Sequence, residues 1–326
     1  MNCGLIGYPL GHSYSPQIHR ALADYDYRLW PLKPEELEAF LVKRDFAGIN
    51  VTIPYKERVI PYLDQLSDTA RAIGAVNTVV NRDGKLYGDN TDLAGMLALI
   101  RRMGLVLSGK KVLILGTGGT SKTARAAASQ LGAAEVHRVS RGGREDAITY
   151  RQAAEEHRDA ACIINTTPCG MYPDLGGCPV ELDGFPRLEG VVDVIYNPLR
   201  SELVLSARKR GIPAEGGLYM LAAQAAYASA LFRGCEATAG DSALALCGEI
   251  VRDGHAHGLL HQRVRVHEFL SGALCQQPPH GGLAGGGSSR HADRNTVAQE
   301  YGEPVQHLRR GGAAVEQILT AEIVAV

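Results

Sequence analysis

The chain reads as an α/β protein made of two α/β units with parallel sheets. Short β-branched runs alternate with helical stretches twice along the sequence, which is the pattern of strand–helix–strand crossovers. A glycine-rich strand–turn–helix opens the second series. The 326 residues, 45% of them apolar, suffice to bury the cores of about two domains.

In the first series, Cys3–Gly7 is a strand and Ser15–Ala23 a helix with Pro16 near its start. Leu29–Leu32 ends a second short strand, and Pro34–Lys43 is a charged amphipathic helix. Gly48–Thr52 is the next strand and Tyr62–Ile73 reads as helical. Val76–Asn81 and Lys85–Tyr87 pair as a hairpin around Asp83-Gly84. The second series runs Lys110–Leu115 (strand), Thr120–Leu131 (helix), Glu135–Ser140 (strand) and Ala160–Asn165 (strand). It continues with Val191–Ile195 (strand), Glu202–Arg210 (helix) and a long helix, Leu218–Phe232. The two units join near residues 92–95, and no internal repeat stands out.

Basic and acidic residues nearly cancel, 34 against 35, so charge makes no case for a nucleic-acid or membrane partner. No stretch approaches the ~20 continuous apolar residues of a membrane span. Met1–Gly7 runs directly into a strand without a signal-peptide pattern. Seven cysteines with no C-x-x-C spacing suggest isolated, reduced thiols in a cytoplasmic protein. After about residue 250 the composition changes, with seven of the eleven histidines between His255 and His307. Gln276–Ser289 lacks apolar periodicity and reads as flexible. Ala314–Ile323 carries a separate helical pattern. The tail histidines lack ligand spacing, and no metal is expected.

The segment Val112–Ala124 holds Gly116, Gly118 and Gly119 between a strand and a helix. Glycines there let the backbone approach a pyrophosphate whose charge sits on the helix N-terminus. The bland reading is an ordinary tight βα turn. The same segment is one residue from the phosphate-loop pattern, with Ser121 in place of the second glycine, and no acidic magnesium motif accompanies it. A nucleoside triphosphatase is therefore a poor fit. The following strand ends in Ser140-Arg141 rather than an acidic residue, which suits the 2′-phosphate of NADP better than the ribose of NAD. Arg144 is a second candidate clamp; otherwise both arginines are solvated surface residues.

In the first half, Ser13 and Ser15 stand two apart before a helix, where two hydroxyls could hold a carboxylate; alternatively Ser15 is a helix cap. Lys56 lies just past a strand end, where α/β sites gather, although a lone loop lysine is usually solvated. Asn77 and Asp92 add an amide and a carboxylate at two further loop or element ends.

Taken together, these strings resemble the shikimate dehydrogenase family from residue 3 to about 250. The collinear motifs are Gly7–Pro16, Asn50–Lys56, Gly74–Thr78, Asn90–Gly95, Gly116–Gly119, Asn165–Met171, Asp193–Pro198 and Gly216–Ala225. The resemblance implies two α/β domains around a cleft: a substrate-binding domain (1–92 plus 218–250) and a Rossmann-like NADP-binding domain (93–217). The tail, 251–326, lies outside it. It further implies reversible, NADP-dependent reduction of 3-dehydroshikimate to shikimate in the chorismate pathway of aromatic amino acid biosynthesis. Lys56 and Asp92 would be catalytic, and Ser13 and Ser15 would hold the substrate carboxylate. Thr52, Asn77, Asp92 and Gln224 would read the ring hydroxyls, with Asn50 supporting the loop and Tyr196 bordering the cleft. Gly116, Gly118, Gly119, Thr120, Ser140, Arg141, Arg144, Thr166, Ile195 and Gly217 would meet NADP. A monomer or homodimer is expected. Alternatives are a quinate/shikimate dehydrogenase using NAD and a non-catalytic sensor on the same fold. Ser140-Arg141-Gly142 departs from the Asn-Arg-Thr frequent in the family, which weakens the NADP reading. Asp293–Ile323 faintly resembles an internal segment of shikimate kinase, but no phosphate loop precedes it and no kinase activity is expected.

Overall fold

The computed structural model describes residues 1–10, 13–142 and 146–235. Two six-stranded sheets organise them. In the first sheet, β1 (Asn2–Gly7) lies between β2 (Asp26–Pro31) and β3 (Gly48–Val51), parallel to both. Beyond β3 come β5 (Thr78–Arg82), β6 (Lys85–Asp89) and the two-residue β4 (Gln65–Leu66). The expected hairpin forms, turning at Asp83 and Gly84 with φ of 52° and 81°. Its presence makes this sheet mixed rather than parallel, because β5 runs antiparallel to both β3 and β6.

The second sheet is parallel throughout, in the order β12-β11-β10-β7-β8-β9. Its strands are β7 (Lys111–Leu115), β8 (Glu135–Ser140), β9 (Ile148–Thr149), β10 (Cys162–Asn165), β11 (Gly190–Asp193) and β12 (Ala214–Glu215). Side chains alternate across β7. Val112 and Ile114 pack with Met96, Ile100, Ala124 and Ala128 on one face. Leu113 and Leu115 pack with Ile163, Leu203 and Val204 on the other. Burial on both faces is why these strands read as unbroken apolar runs.

Helices α1 (Ser15–Leu22), α2 (Leu37–Lys43) and α3 (Asp68–Ile73) accompany the first sheet. With the second come α5 (Gly119–Gln130), α6 (Tyr150–Glu156) and α7 (Glu202–Lys209). Helices α4 (Thr91–Arg102) and α8 (Leu218–Arg233) pack on each other where the chain passes between the sheets. That pairing depends on Gly95: a Cβ there would lie 2.7 Å from the Met220 carbonyl oxygen.

The long helix expected over Tyr62–Ile73 is instead a 3-10 turn (Ile60–Tyr62), then β4, then α3. Ser67 caps α3 by accepting from the Ala70 N–H at 3.0 Å, and β4 is drawn into the sheet by pairing with β6. Two helices had not been anticipated. The junction expected at 92–95 lies inside α4, whose N-cap is Asn90, accepting from Leu93 N–H at 3.3 Å. Helix α6 begins with a capping box between Thr149 and Gln152. Cys3, Cys162, Cys169 and Cys178 are free thiols, whereas Cys235 is disulfide-bonded, contrary to the expectation of isolated thiols throughout. Among the described residues, no helix is long and apolar enough to cross a membrane.

Candidate active site

In open α/β sheets, ligands gather where neighbouring strands send their chains in opposite directions, beyond the carboxyl ends. The first sheet has such a point between β1 and β3, and the second between β7 and β10.

Lys56 follows β3 on a loop fastened on both sides. Thr52 N–H donates to Ile6 O (2.9 Å), Tyr8 N–H to Ile53 O (3.0 Å), and Val76 N–H to Lys56 O (2.7 Å). Tyr55 is fully buried, with its hydroxyl on the Leu32 carbonyl. The loop delivers Lys56 Nζ to Asp92 Oδ2 at 2.5 Å, with the two side chains only 14% and 10% exposed. Asp92 sits in the first turn of α4, where the helix dipole favours negative charge.

A polar network extends behind this pair. Asn77, 3% exposed, accepts at Oδ1 from Thr91 N–H (2.7 Å) and donates from Nδ2 to Thr91 Oγ1 (3.0 Å) and Gln224 Oε1 (3.5 Å). Asn50 Nδ2 donates to Thr78 Oγ1 at 3.2 Å, while its Oδ1 accepts from Tyr27 Oη at 2.8 Å. The Tyr27 hydroxyl also meets Ser15, and burial first of all pushes its pKa well up. Lys56, Asp92, Asn77, Asn50, Gln224 and Ser15 thus converge. Thr78, Thr91 and Tyr27, none of them singled out in the sequence, connect them. Thr78 shares a strand face with buried Val80, two residues on, and that spacing was the available signal for it.

Other candidates are held differently. Ser13 Oγ accepts from Ser15 N–H at 3.2 Å. Ser15 is the first residue of α1 and not its cap; Tyr14 holds that position without a side-chain bond, so the capping alternative fails. Thr52 is placed by its backbone bonds. Tyr196 packs on Tyr14 with ring centroids 5.8 Å apart and planes tilted at 56°, bringing the segment after β11 to the serine segment; burial raises its pKa.

At the glycine-rich turn, Gly116 has φ of 107°, and a Cβ on it would lie 2.8 Å from Thr166 Oγ1. Thr166 itself braces the turn, donating from Oγ1 to Leu115 O at 2.7 Å. Gly118 caps α5, the space at its Cβ position is open, and Gly119 and Thr120 begin the helix. Ser121, in place of the phosphate-loop glycine, donates to Gly118 O at 2.6 Å and so stabilises this first turn. At the end of β8, Ser140 Oγ is buried with no hydrogen-bond partner among the described residues, beside exposed Arg141. Arg144 lies outside the described residues. An orphaned hydroxyl, an exposed guanidinium, an open glycine corner and a helix start with no acidic residue all fit a dinucleotide bearing an extra phosphate. Gly217 N–H donates to Ile195 O at 2.8 Å, so these two residues form one corner above β11.

The two halves meet at Lys56. The Cβ position of Gly119 is 3.5 Å from Lys56 Cδ, and Glu57 Oε1 pairs with Lys122 Nζ at 2.9 Å. Buried Asp193 braces the second half: its Oδ1 accepts from Asn165 Nδ2 and Ile195 N–H, both at 3.0 Å, and Ser201 donates to Oδ2. Burial raises its pKa, against the lowering effect of those donors. Chemically, an ammonium paired with a carboxylate stands beside amide and hydroxyl groups, next to a dinucleotide-type turn. Such an arrangement can exchange a proton with a polyhydroxylated substrate during hydride transfer.

Comparisons with known proteins agree with this geometry. Residues 5–79 match the family described as shikimate dehydrogenase substrate binding domain. The chain is similar to shikimate dehydrogenase (NADP(+)) of Clostridium perfringens, 36% identical over 254 residues that span 71% of this chain and 92% of the relative. It is also similar to shikimate dehydrogenase (NADP(+)) of Halothermothrix orenii, 39% identical over 264 residues, 71% of this chain and 90% of the relative. Among solved structures, shikimate 5-dehydrogenase of Thermus thermophilus, in complex with NADP(H) and shikimate, matches with a TM-score of 0.67 and 31% identity. That match covers 75% of this chain and 97% of the solved one.

Proposed function

The chain belongs to the shikimate dehydrogenase family, and from that premise we propose that Lys56 and Asp92 are its catalytic pair. The reaction is the reversible NADP-dependent reduction of 3-dehydroshikimate to shikimate, in the chorismate route to aromatic amino acids. The observation that carries the catalytic assignment is the 2.5 Å Lys56–Asp92 pair, whose lysine stem lies against the start of α5.

NADP bound at the Gly116–Gly119 turn supplies the hydride chemistry. Gly116, Gly118, Gly119 and Thr120 would hold its pyrophosphate, Ser140 and Arg141 its 2′-phosphate, with Arg144 the further candidate from the sequence, and Thr166, Ile195 and Gly217 would border the nicotinamide end. Lys56 Nζ gives a proton to the developing alkoxide oxygen in reduction and takes it back in oxidation. Asp92 orients Nζ and accepts from the neighbouring ring hydroxyl. Ser13 and Ser15 hold the carboxylate, while Thr52, Asn77 and Gln224 read the remaining hydroxyls. Asn50 steadies the β3 end, and Tyr196 closes the cleft over Tyr14. The packed network holds these groups in fixed positions, where orientation contributes most.

In this reading, residues 1–92 with 218–250 bind substrate and 93–217 bind NADP. The enzyme is read as cytoplasmic, a monomer or homodimer, and the near-balance of charge, 34 basic to 35 acidic, makes no case for a nucleic-acid or membrane partner. The test follows nicotinamide reduction by absorbance, with shikimate or quinate against NADP⁺ or NAD⁺. Fast turnover only with shikimate and NADP⁺ is expected. Equal or faster turnover with quinate or NAD⁺ moves the chain to the broader quinate/shikimate class. Folded protein inactive with every pair is a sensor, and the catalytic assignment falls.

A further inference from the structure

A second cluster of chemically active side chains lies toward the opposite end of the second sheet's strands from the dinucleotide turn. The turn follows the carboxyl end of β7, whereas Glu135 begins the parallel strand β8, opposite Lys111 at the start of β7. Residues two apart on a strand share a face, so Glu135 and His137 project together. His157, the residue that ends α6, brings its ring onto His137 with centroids 4.1 Å apart and planes at 39°. His137 Nε2 and Glu135 Oε2 are 3.2 Å apart, and one ligand atom from each of the three residues lies within 4.8 Å of the others.

We infer that Glu135, His137 and His157 bind one divalent transition-metal ion of the zinc class. Zn–N and Zn–O bonds of ~2.0–2.2 Å in a tetrahedron put ligand atoms roughly 3.3–3.5 Å apart. The Glu135–His137 pair already stands at that spacing, at 3.2 Å. From a spread of at most 4.8 Å, His157 needs to close by about 1.5 Å, within reach of a side-chain rotation.

Two features favour the ion. His157 Nδ1 is buried with no hydrogen-bond partner among the described residues, a state that metal ligation at this ring relieves. Lys111 Nζ spans Glu135 Oε2 (3.2 Å) and Asp159 Oδ1 (3.0 Å), so it holds the carboxylate in place and can shift toward Asp159 when a cation arrives. Two imidazoles and one carboxylate select zinc, nickel or copper over magnesium or calcium, and three protein ligands leave a fourth position for water. Because the cluster is at the amino end of the strands, the ion steadies β8 and α6 and takes no part in proton transfer at Lys56.

Added metal can also reach the seven histidines between His255 and His307, so the amount bound does not locate the ion. Histidine modification by diethylpyrocarbonate, mapped by peptide mass spectrometry on the full, chelator-stripped chain, locates it. Zn²⁺ is expected to slow labelling of His137 and His157 several-fold, with Mg²⁺ at the same concentration having no effect. Glu135→Gln changes an exposed residue and keeps the fold, which circular dichroism checks. It raises the half-protecting Zn²⁺ concentration at least about tenfold, as loss of a direct ligand must cost no less than loss of an outer partner. Labelling of His137 and His157 that Zn²⁺ leaves unchanged while the tail histidines are protected overturns the site. So does protection of Glu135→Gln at the wild-type concentration.

Discussion

Gly95→Ala tests how closely α4 must approach α8. In an ordinary helix interior the change stabilises by about 0.5–1 kcal/mol, since alanine loses less backbone entropy than glycine. Here the added Cβ lies 2.7 Å from the Met220 carbonyl oxygen and 3.2 Å from the Gln224 nitrogen, both backbone atoms that cannot swing aside. Ordinary contact begins near 3.4 Å, so the two helices must part by about 0.7 Å. Overpacking of this kind costs ~1–3 kcal/mol, leaving a net loss of about 0–2.5 kcal/mol after the helix gain. The displacement falls on the helices that carry Asp92 and Gln224. Because a misplacement near 1 Å can lower rate by ~10²-fold, a kcat loss between a few-fold and ~10²-fold is expected. Urea unfolding followed by circular dichroism reads the stability, and steady-state kinetics on the same preparation read the rate. A variant more stable than the parent by the full helix gain, with unchanged kcat, would show that the helices do not meet as closely as described.

Three further outcomes are expected. Lys56→Ala lowers kcat by about 10²–10⁴-fold with little change in KM for shikimate; unchanged kcat with raised KM would make Lys56 a binding residue. Arg141→Ala removes a charged hydrogen bond worth ~1.5–3 kcal/mol, raising KM for NADP⁺ about tenfold or more while leaving NAD⁺ kinetics alone; equal effects on both cofactors would remove Arg141 from the 2′-phosphate site. His19 is fully buried and stacked on Tyr27, and burial holds its pKa down at about 3 against the ordinary 6.5. The unfolded chain therefore binds the extra proton between those values. The stabilisation from neutral His19 is complete above about pH 6.5 and drains away as pH falls toward 3, with a ceiling of several kcal/mol. His19→Phe keeps the stack and flattens the acid limb of stability against pH; an equally steep limb would assign that loss to other groups.

Much of the fold was legible in the chain. Strands buried on both faces appear as apolar runs, the glycine corner announces a βα turn, and Asp83-Gly84 announces the hairpin. The Thr149–Gln152 capping box was legible too, although the helix it starts went unread. The segment before α3 misled because Ile60–Ile73 has helical composition, yet the cap at Ser67 and pairing of β4 with β6 divide it.

Residue types, order and local turns are properties of neighbours along the chain, acting within a few positions, and the sequence alone determined them here. It placed Lys56 past a strand end and marked the serine pair, Asn77 and Asp92 as polar groups in loops or at element ends. Which of these meet was decided by tertiary structure. Lys56 and Asp92 are 36 positions apart, and Asn77 and Gln224 are 147 apart. Their contacts depend on α4 and α8 approaching at Gly95, and on β3 delivering its loop to the first turn of α4. The same holds for His137 and His157, joined only when α6 folds back on β8. Such contacts require packing of whole elements to offset the entropy of closing long loops, and no local pattern records that balance.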